Sequence, residues 1–337
     1  MIRPILGGIC MMFSVLLFSS ERAAADLKAA NAAVEQGQSD EAIRLFTEAL
    51  TTGNLSPDDK LAAYKARSRE YSAKSLIADN FGRTDEGQRL RDNAIADLTA
   101  ALALKADDAS VLIERGQSYF MNQNYDPAIA DFSSALKLKN APSTLMMRAA
   151  SHRAKGDYDT AIADYNAALG LNIPEEGLDR WDIHNERGFA EFLAKRYDAA
   201  AADFEKALEL GSPSRKDDVL WAPYAMAWLH ISNARAGKND AEDLAKRASQ
   251  INVTQWPGTL IAYFLGNLKL EDVSGATNHG SMGKGRECNL SFFAGEHALA
   301  KGDRAQARTH FVRAHEVCNI HSLPYLGARV ELERMKD

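Results

Sequence analysis

Three cysteines, nine prolines and no surplus of positive charge mark this 337-residue chain by what it has little of. Its 40 Lys and Arg stand against 46 Asp and Glu, for a net charge of −6, and neither sign gathers into a long run. That excludes the electrostatic footprint of a protein that tracks nucleic acid or an anionic bilayer. Proline falls mostly between apolar-periodic segments or at their starts, so their interiors are free to be helical. The eight histidines are scattered; His310 and His315 are five apart and do not share a helix face. No His-Glu-x-x-His or Cys/His spacing occurs, so no metal site and no cofactor is nominated. The glycine-rich stretch Asn278 to Gly285 lacks the first glycine of a phosphate loop and has Gly285 where Ser or Thr is required; it reads as an irregular loop. His279 to Gly283 lacks the first glycine of a nucleophile elbow. The acidic pairs Asp107-Asp108 and Asp217-Asp218 precede helices, where carboxylates cap free N–H groups. No catalytic residue is nominated, and the expectation is a protein that is not an enzyme.

Long hydrophobic runs are missing too, apart from one at the start. Ile5 to Phe18 is an apolar run of about 14 residues behind Arg3, short for a membrane span, and Ala23-Ala24-Ala25 offers a small-x-small cleavage site. Residues 1–25 therefore read as a signal peptide, with the mature chain free of any integral span and located in the periplasm; an uncleaved anchor is the rival. Cys10 lies inside the apolar run behind the bulky Ile9, which does not suit lipid attachment.

What the chain does have is a repeat. Ala94-Ile-Ala-Asp-Leu98, Ala128-Ile-Ala-Asp-Phe132, Ala161-Ile-Ala-Asp-Tyr165 and Ala200-Ala-Ala-Asp-Phe204 are one pentapeptide written four times, their ends 34, 33 and 39 residues apart. Each follows a first amphipathic segment with a small residue at one position: Gly116, Ala149, Gly188. A period near 34 with paired helices resembles the tetratricopeptide repeat. This predicts an all-α, right-handed α-solenoid of about six or seven antiparallel helix pairs with a C-terminal capping helix. Repeats fall near 26–56, 61–108, 109–142, 142–175 and 181–214, making an array over 26–215, with a related helical region over 216–337. The second repeat is enlarged: 23 residues separate Tyr71 from Ala94, against 9 from Tyr119 to Ala128. The excess of 14 adds about two turns to each helix, ending in a charged tip over Asp79 to Asp92 that protrudes into solvent, either as a solvated extension or as a partner-contacting spur. Leu323, Leu326, Val330 and Met335 form a closing helix whose other face, with Glu331 and Arg334, faces solvent.

Beyond the signal only Cys288 and Cys318 remain. In an antiparallel hairpin residues equidistant from the turn face each other, and their midpoint is Asp303, in the turn itself. An extracytoplasmic location and this geometry together predict a Cys288–Cys318 disulfide.

In tetratricopeptide arrays the first helices line a concave groove that holds a protein or peptide. That face selects Ile113, Gln117, Phe120 and Met121, then Met146 and Met147, then Asn185, Phe189 and Phe192, an apolar stripe suited to adaptable binding. A narrower resemblance covers roughly Trp221 to Leu332. Gln255-Trp256-Pro257-Gly258, Leu265-Gly266-Asn267 and Phe292-Phe293-Ala294-Gly295-Glu296, with Ala307 and Phe311, are similar to the C-terminal half of NlpI-type envelope lipoproteins. That resemblance implies an adaptor for envelope proteases or cell-wall hydrolases, although a lipobox cysteine is lacking. Two rivals stay open: a structural subunit of an envelope or secretion complex, and an enzyme whose site is assembled across repeats. The oligomeric state is not specified.

Overall fold

The computed structural model describes residues 22–52, 55–172, 178–211, 221–275 and 280–336; the apolar N-terminal run lies outside them. The described residues are helical and turn, without strands, and none of their helices is long and apolar enough to cross a membrane. The chain divides into two compact units, residues 1–140 and 141–337.

The first unit is three hairpins: α1 (22–35) with α2 (Ser39–Thr52), α3 (Pro57–Asn80) with α4 (Thr84–Leu104), and α5 (Ala109–Met121) with α6 (Tyr125–Leu138). Helix starts are written locally. The Ser56 hydroxyl accepts from the Asp59 N–H with Pro57 in the first turn, and the Asp108 carboxylate accepts from the Ser110 and Val111 N–H groups. Between helices small residues meet large ones. Ala30, Ala33, Ala42 and Phe46 close the first hairpin, and the Phe132 ring lies where a Cβ on Gly116 would be, 2.7 Å away. Only a residue without a side chain lets these two helices approach so closely. Helices α3 and α4 run 24 and 21 residues, against 13 and 14 for α5 and α6. Their added turns are not simply a solvated charged tip. Leu76, Ile77 and Phe81 stand exposed, Phe81 at 76%. Arg91 turns inward, pairing with Asp79 and donating to Asn122 Oδ1 at 2.6 Å, because its long stem bridges α4 to both neighbours.

The second unit opens with two regular hairpins, α7 (Pro142–Lys155) with α8 (Tyr158–Gly170) and α9 (Arg180–Leu193) with α10 (Tyr197–Leu210). Then the pattern loosens. α11 (Trp221–Arg235) packs on α10, but α12 (Ala241–Ala248), α13 (Gly258–Phe264) and α14 (Leu270–Gly275) are short, and α15 (Gly280–Ala300) returns against α11. Trp228 is the hub of this core. Its ring meets Phe189 at 4.8 Å, Phe292 at 5.2 Å, Phe293 at 5.3 Å and Phe192 at 5.4 Å between centroids. α15 and α16 (Arg304–Val317) form the last hairpin, with the Asp303 side chain capping α16. Cys288 and Cys318 are joined, their Cα atoms 4.8 Å apart.

Two expectations are corrected here. The glycine-rich stretch is helical from Gly280 onward, its first residues to 279 lying outside the described part. Cys288 therefore sits two turns inside α15. Nor is the closing helix α17 (Leu323–Arg334) a helix with one wholly solvated face. It crosses the first helices of its unit. Gly327 seats on the Phe292 ring, Arg329 Nη2 donates to the Ala154 carbonyl at 3.3 Å, Arg334 donates to the Leu193 carbonyl, and Glu331 is 3% exposed.

One device recurs through repeats two to five. The residue before the small position is Arg67, Arg115, Arg148 or Arg187, and the residue before the repeat's last large side chain is Asp97, Asp131, Asp164 or Asp203. Each Arg clamps its Asp with two parallel N–H···O bonds, at 2.8 and 2.7 Å for Arg115–Asp131 and the same for Arg148–Asp164. The carboxylates are buried and the guanidinium groups half-buried. Around Asp203, burial alone would raise the carboxyl, but hydrogen bonds from His184 and Arg187 outweigh it and hold it below the ordinary value.

Candidate functional site

Side chains of the first helices do one of two things: they enter the core between hairpins, or they line clefts. In the first unit, Gln117 and Met121 border a cleft of about 300 Å³ together with Arg69, Ser72 and Glu114. Arg69 reaches Glu114 Oε1 at 2.6 Å across its mouth. Ile113 and Phe120 are half-buried, and the Phe120 ring meets Tyr125 at 5.7 Å.

In the second unit Met146 and Met147 are half-buried. Phe192 is 1% exposed, against Tyr197 and Trp228, and so belongs to the core rather than to a groove. The 3.6-residue period places it on the first-helix face, but α11 covers that part of the face. Asn185 and Phe189 are nearly buried as well, Asn185 Nδ2 donating to the Trp181 carbonyl at 3.1 Å, yet both border a cleft of about 520 Å³. Its other walls include residues that periodicity did not single out as a site: Trp181, Trp221 and Tyr224, with Asp182 and Glu186 on α9 and Leu323 at the start of α17. The Trp181 and Trp221 rings meet edge to face, 5.8 Å apart at 86°. Tyr224 is held by a hydrogen bond from Trp256 Nε1 at 3.0 Å. A signal was present: all four tryptophans of the chain fall between 181 and 256.

At the other end of α11 and α17 lies a buried ionic cluster. Arg235 pairs with Glu296, donates to the Tyr197 hydroxyl at 2.6 Å, and lies 3.7 Å from Glu331, which also holds Arg334. Burial pushes the Glu296 carboxyl up, against the opposing pull of Arg235, and pushes the Tyr197 hydroxyl up to about 12. Beside them His297, against Tyr263 and Phe264, is held neutral: burial first, then the charges of Lys301 and His230, lower it to about 4. Among the described residues no group of three or more His, Cys, Asp and Glu converges as a metal site.

Comparison with known proteins agrees with this architecture. Residues 27–66, 80–143 and 146–215 match the tetratricopeptide repeat family. The Lipoprotein NlpI homolog of Haemophilus influenzae is 24% identical over 298 residues, covering 86% of this chain and 75% of that protein. A solved tetratricopeptide repeat protein from Parabacteroides merdae superimposes with a TM-score of 0.54 at 13% identity, over 92% of this chain and 99% of its own, which shows a common fold. With family matches over more than half its length and paired helices throughout its repeats, the chain belongs to the tetratricopeptide-repeat family.

Proposed function

We propose that this protein is a non-catalytic periplasmic adaptor or scaffold that holds a protein or peptide partner, such as a cell-wall hydrolase or an envelope protease. The observation that carries this reading is that the first helices keep large side chains at clefts instead of burying all of them. Gln117 and Met121 do so in one unit, Trp221 and Tyr224 in the other. A solenoid that was only a structural rod would have no reason to hold half-exposed tryptophan and methionine there. The NlpI-type relative is a lipoprotein by name, which supports an envelope location, as do the apolar start of the chain and the Cys288–Cys318 bond.

The test is crosslinking in intact cells followed by recovery of the tagged chain from the periplasmic fraction, alongside assays of the purified protein on peptidoglycan and on unfolded polypeptide. A discrete crosslinked partner and no hydrolysis are expected. Hydrolysis by the purified chain would overturn the adaptor reading, and a cytoplasmic location would overturn the periplasmic one.

A further inference from the structure

We infer that the cleft walled by Trp221, Tyr224 and Phe189 is a receptor for a single cationic side chain, Arg or Lys, presented by a peptide segment of the partner. The inference rests on the protein-interaction reading above and adds the chemistry of what is recognised.

Three observations lead there. First, the cleft is what α17 leaves open: that helix covers the first helices of its unit from Ala154 to Phe292, and its own start, at Leu323, forms one wall. The opening of about 520 Å³ admits side chains rather than a whole helix. Second, its charged wall residues are carboxylates alone. Asp182 and Glu186 lie one turn apart on α9, Asp182 accepting from the Asp179 N–H at 3.1 Å and Glu186 from the Tyr165 hydroxyl at 3.4 Å, and no Lys or Arg borders the cleft. Arg153 sits behind Glu186, 2.7 Å away and almost fully covered, and Arg286 is felt at Tyr224 without lining the cleft. Third, the aromatic walls form a corner. Trp181 and Trp221 meet at 86°, an angle into which a compact or planar cation fits against a ring face. Carboxylates beside aromatic faces with buried amide support are the recognition chemistry of a guanidinium or ammonium group.

The test uses the full mature chain and the peptide acetyl-Gly-Leu-Arg-Leu-Gly-amide, titrated into the millimolar range by tryptophan fluorescence and by NMR. Two control ligands accompany it: the same peptide with citrulline for Arg, which keeps shape and loses charge, and the methyl glycoside of an N-acetylglucosamine disaccharide. Saturable binding is expected, weakened at least tenfold by citrulline and by added salt, and abolished by Trp221→Leu. The double variant Asp182→Asn/Glu186→Gln keeps the acceptors used by the backbone and by Arg153, and should also lose binding while melting as a folded protein. If either variant fails to fold, the Arg–citrulline comparison on the unaltered chain still decides. Equal binding of the two peptides, binding of the disaccharide in their place, or binding of neither overturns the assignment. A crosslinked partner recovered equally with the unaltered chain and Trp221→Leu, while no peptide binds, would overturn this inference alone. Failure of the unaltered chain to capture any partner would overturn the adaptor reading with it.

Discussion

At the residue scale, the repeat works by leaving atoms out, and the cost of adding one depends on what would be struck. A Cβ on Gly188 would come 3.0 Å from the Phe204 ring, on Gly295 2.6 Å from Phe311, and on Gly258 1.9 Å from the Asn252 carbonyl oxygen. A ring can slide by a few tenths of an ångström, whereas a backbone carbonyl in a tight turn has less freedom. Alanine at the three positions should therefore cost about 1 kcal/mol at Gly188, about 2 at Gly295 and more than about 3 at Gly258. Urea midpoints of the three variants check the order, and a Gly258→Ala protein as stable as Gly188→Ala would refute the steric account. A second residue-scale prediction concerns His297. The unfolded chain takes up that proton near 6.5 and the folded chain near 4, so acid favours unfolding. The contribution is fully present above pH 6.5 and is lost as pH falls toward 4, by up to about 3 kcal/mol. His297→Phe should lose less stability between pH 7 and 4.5 than the unaltered chain. Comparing slopes cancels the opposite trend expected from Glu296, and equal slopes would sink the idea. Two of the glycines are visible in the sequence, Gly295 within Phe-Phe-Ala-Gly-Glu and Gly258 in Trp-Pro-Gly. The neighbours that make them matter are not, since the Asn252 carbonyl reaches Gly258 through a turn with no periodicity.

At the scale of elements, the pairing of helices is legible because it is periodic, and the Arg–Asp clamp is written in the same period. The Asp is the fourth letter of the repeated pentapeptide, and the Arg precedes the small residue of the first helix 16 positions earlier, or 30 in the enlarged repeat. The two columns co-recur, and their interval grows by the same 14 residues as the hairpin. Removing one partner strands a charge in a half-buried site, while removing both leaves only a packing problem. Asp131→Leu alone should cost about 2–3 kcal/mol, and Arg115→Leu/Asp131→Leu clearly less than the sum of the single changes, with a coupling above about 1 kcal/mol. Additivity within about 0.5 kcal/mol would show the clamp to be ornamental. Local period and tertiary surroundings part company at two places. Gly280 to Gly285 lacks helix propensity yet is the first part of α15, and Phe192 has a groove residue's spacing and a core residue's surroundings. Period identifies a helix face and is silent on which helix covers it.

At the scale of the second unit and of the chain as a whole, the last segments decide what the repeats can offer, and they are held by long-range ties. α17 returns across earlier helices through Arg329 to Ala154 and Arg334 to Leu193, separations of 175 and 141 residues that no local pattern announces. The hairpin from which it departs is tied by Cys288–Cys318, 30 residues apart. Closing a loop of that size removes conformations from the unfolded chain worth about 3–4 kcal/mol. Because α16 leads directly into α17, reduction should loosen both and, with them, the wall that Leu323 gives the cleft. The expected outcome is a fall in urea midpoint on adding reductant that Cys288→Ser/Cys318→Ser reproduces and that reductant cannot deepen. Hydrogen exchange should rise first in α16 and α17, while α7 to α10 stay protected. Uniform exchange across the second unit, or a midpoint indifferent to reductant, would mean that the ionic cluster around Arg235 and the Phe292–Gly327 contact hold α17 by themselves, and that the cleft is as well formed in a reducing compartment as in an oxidising one.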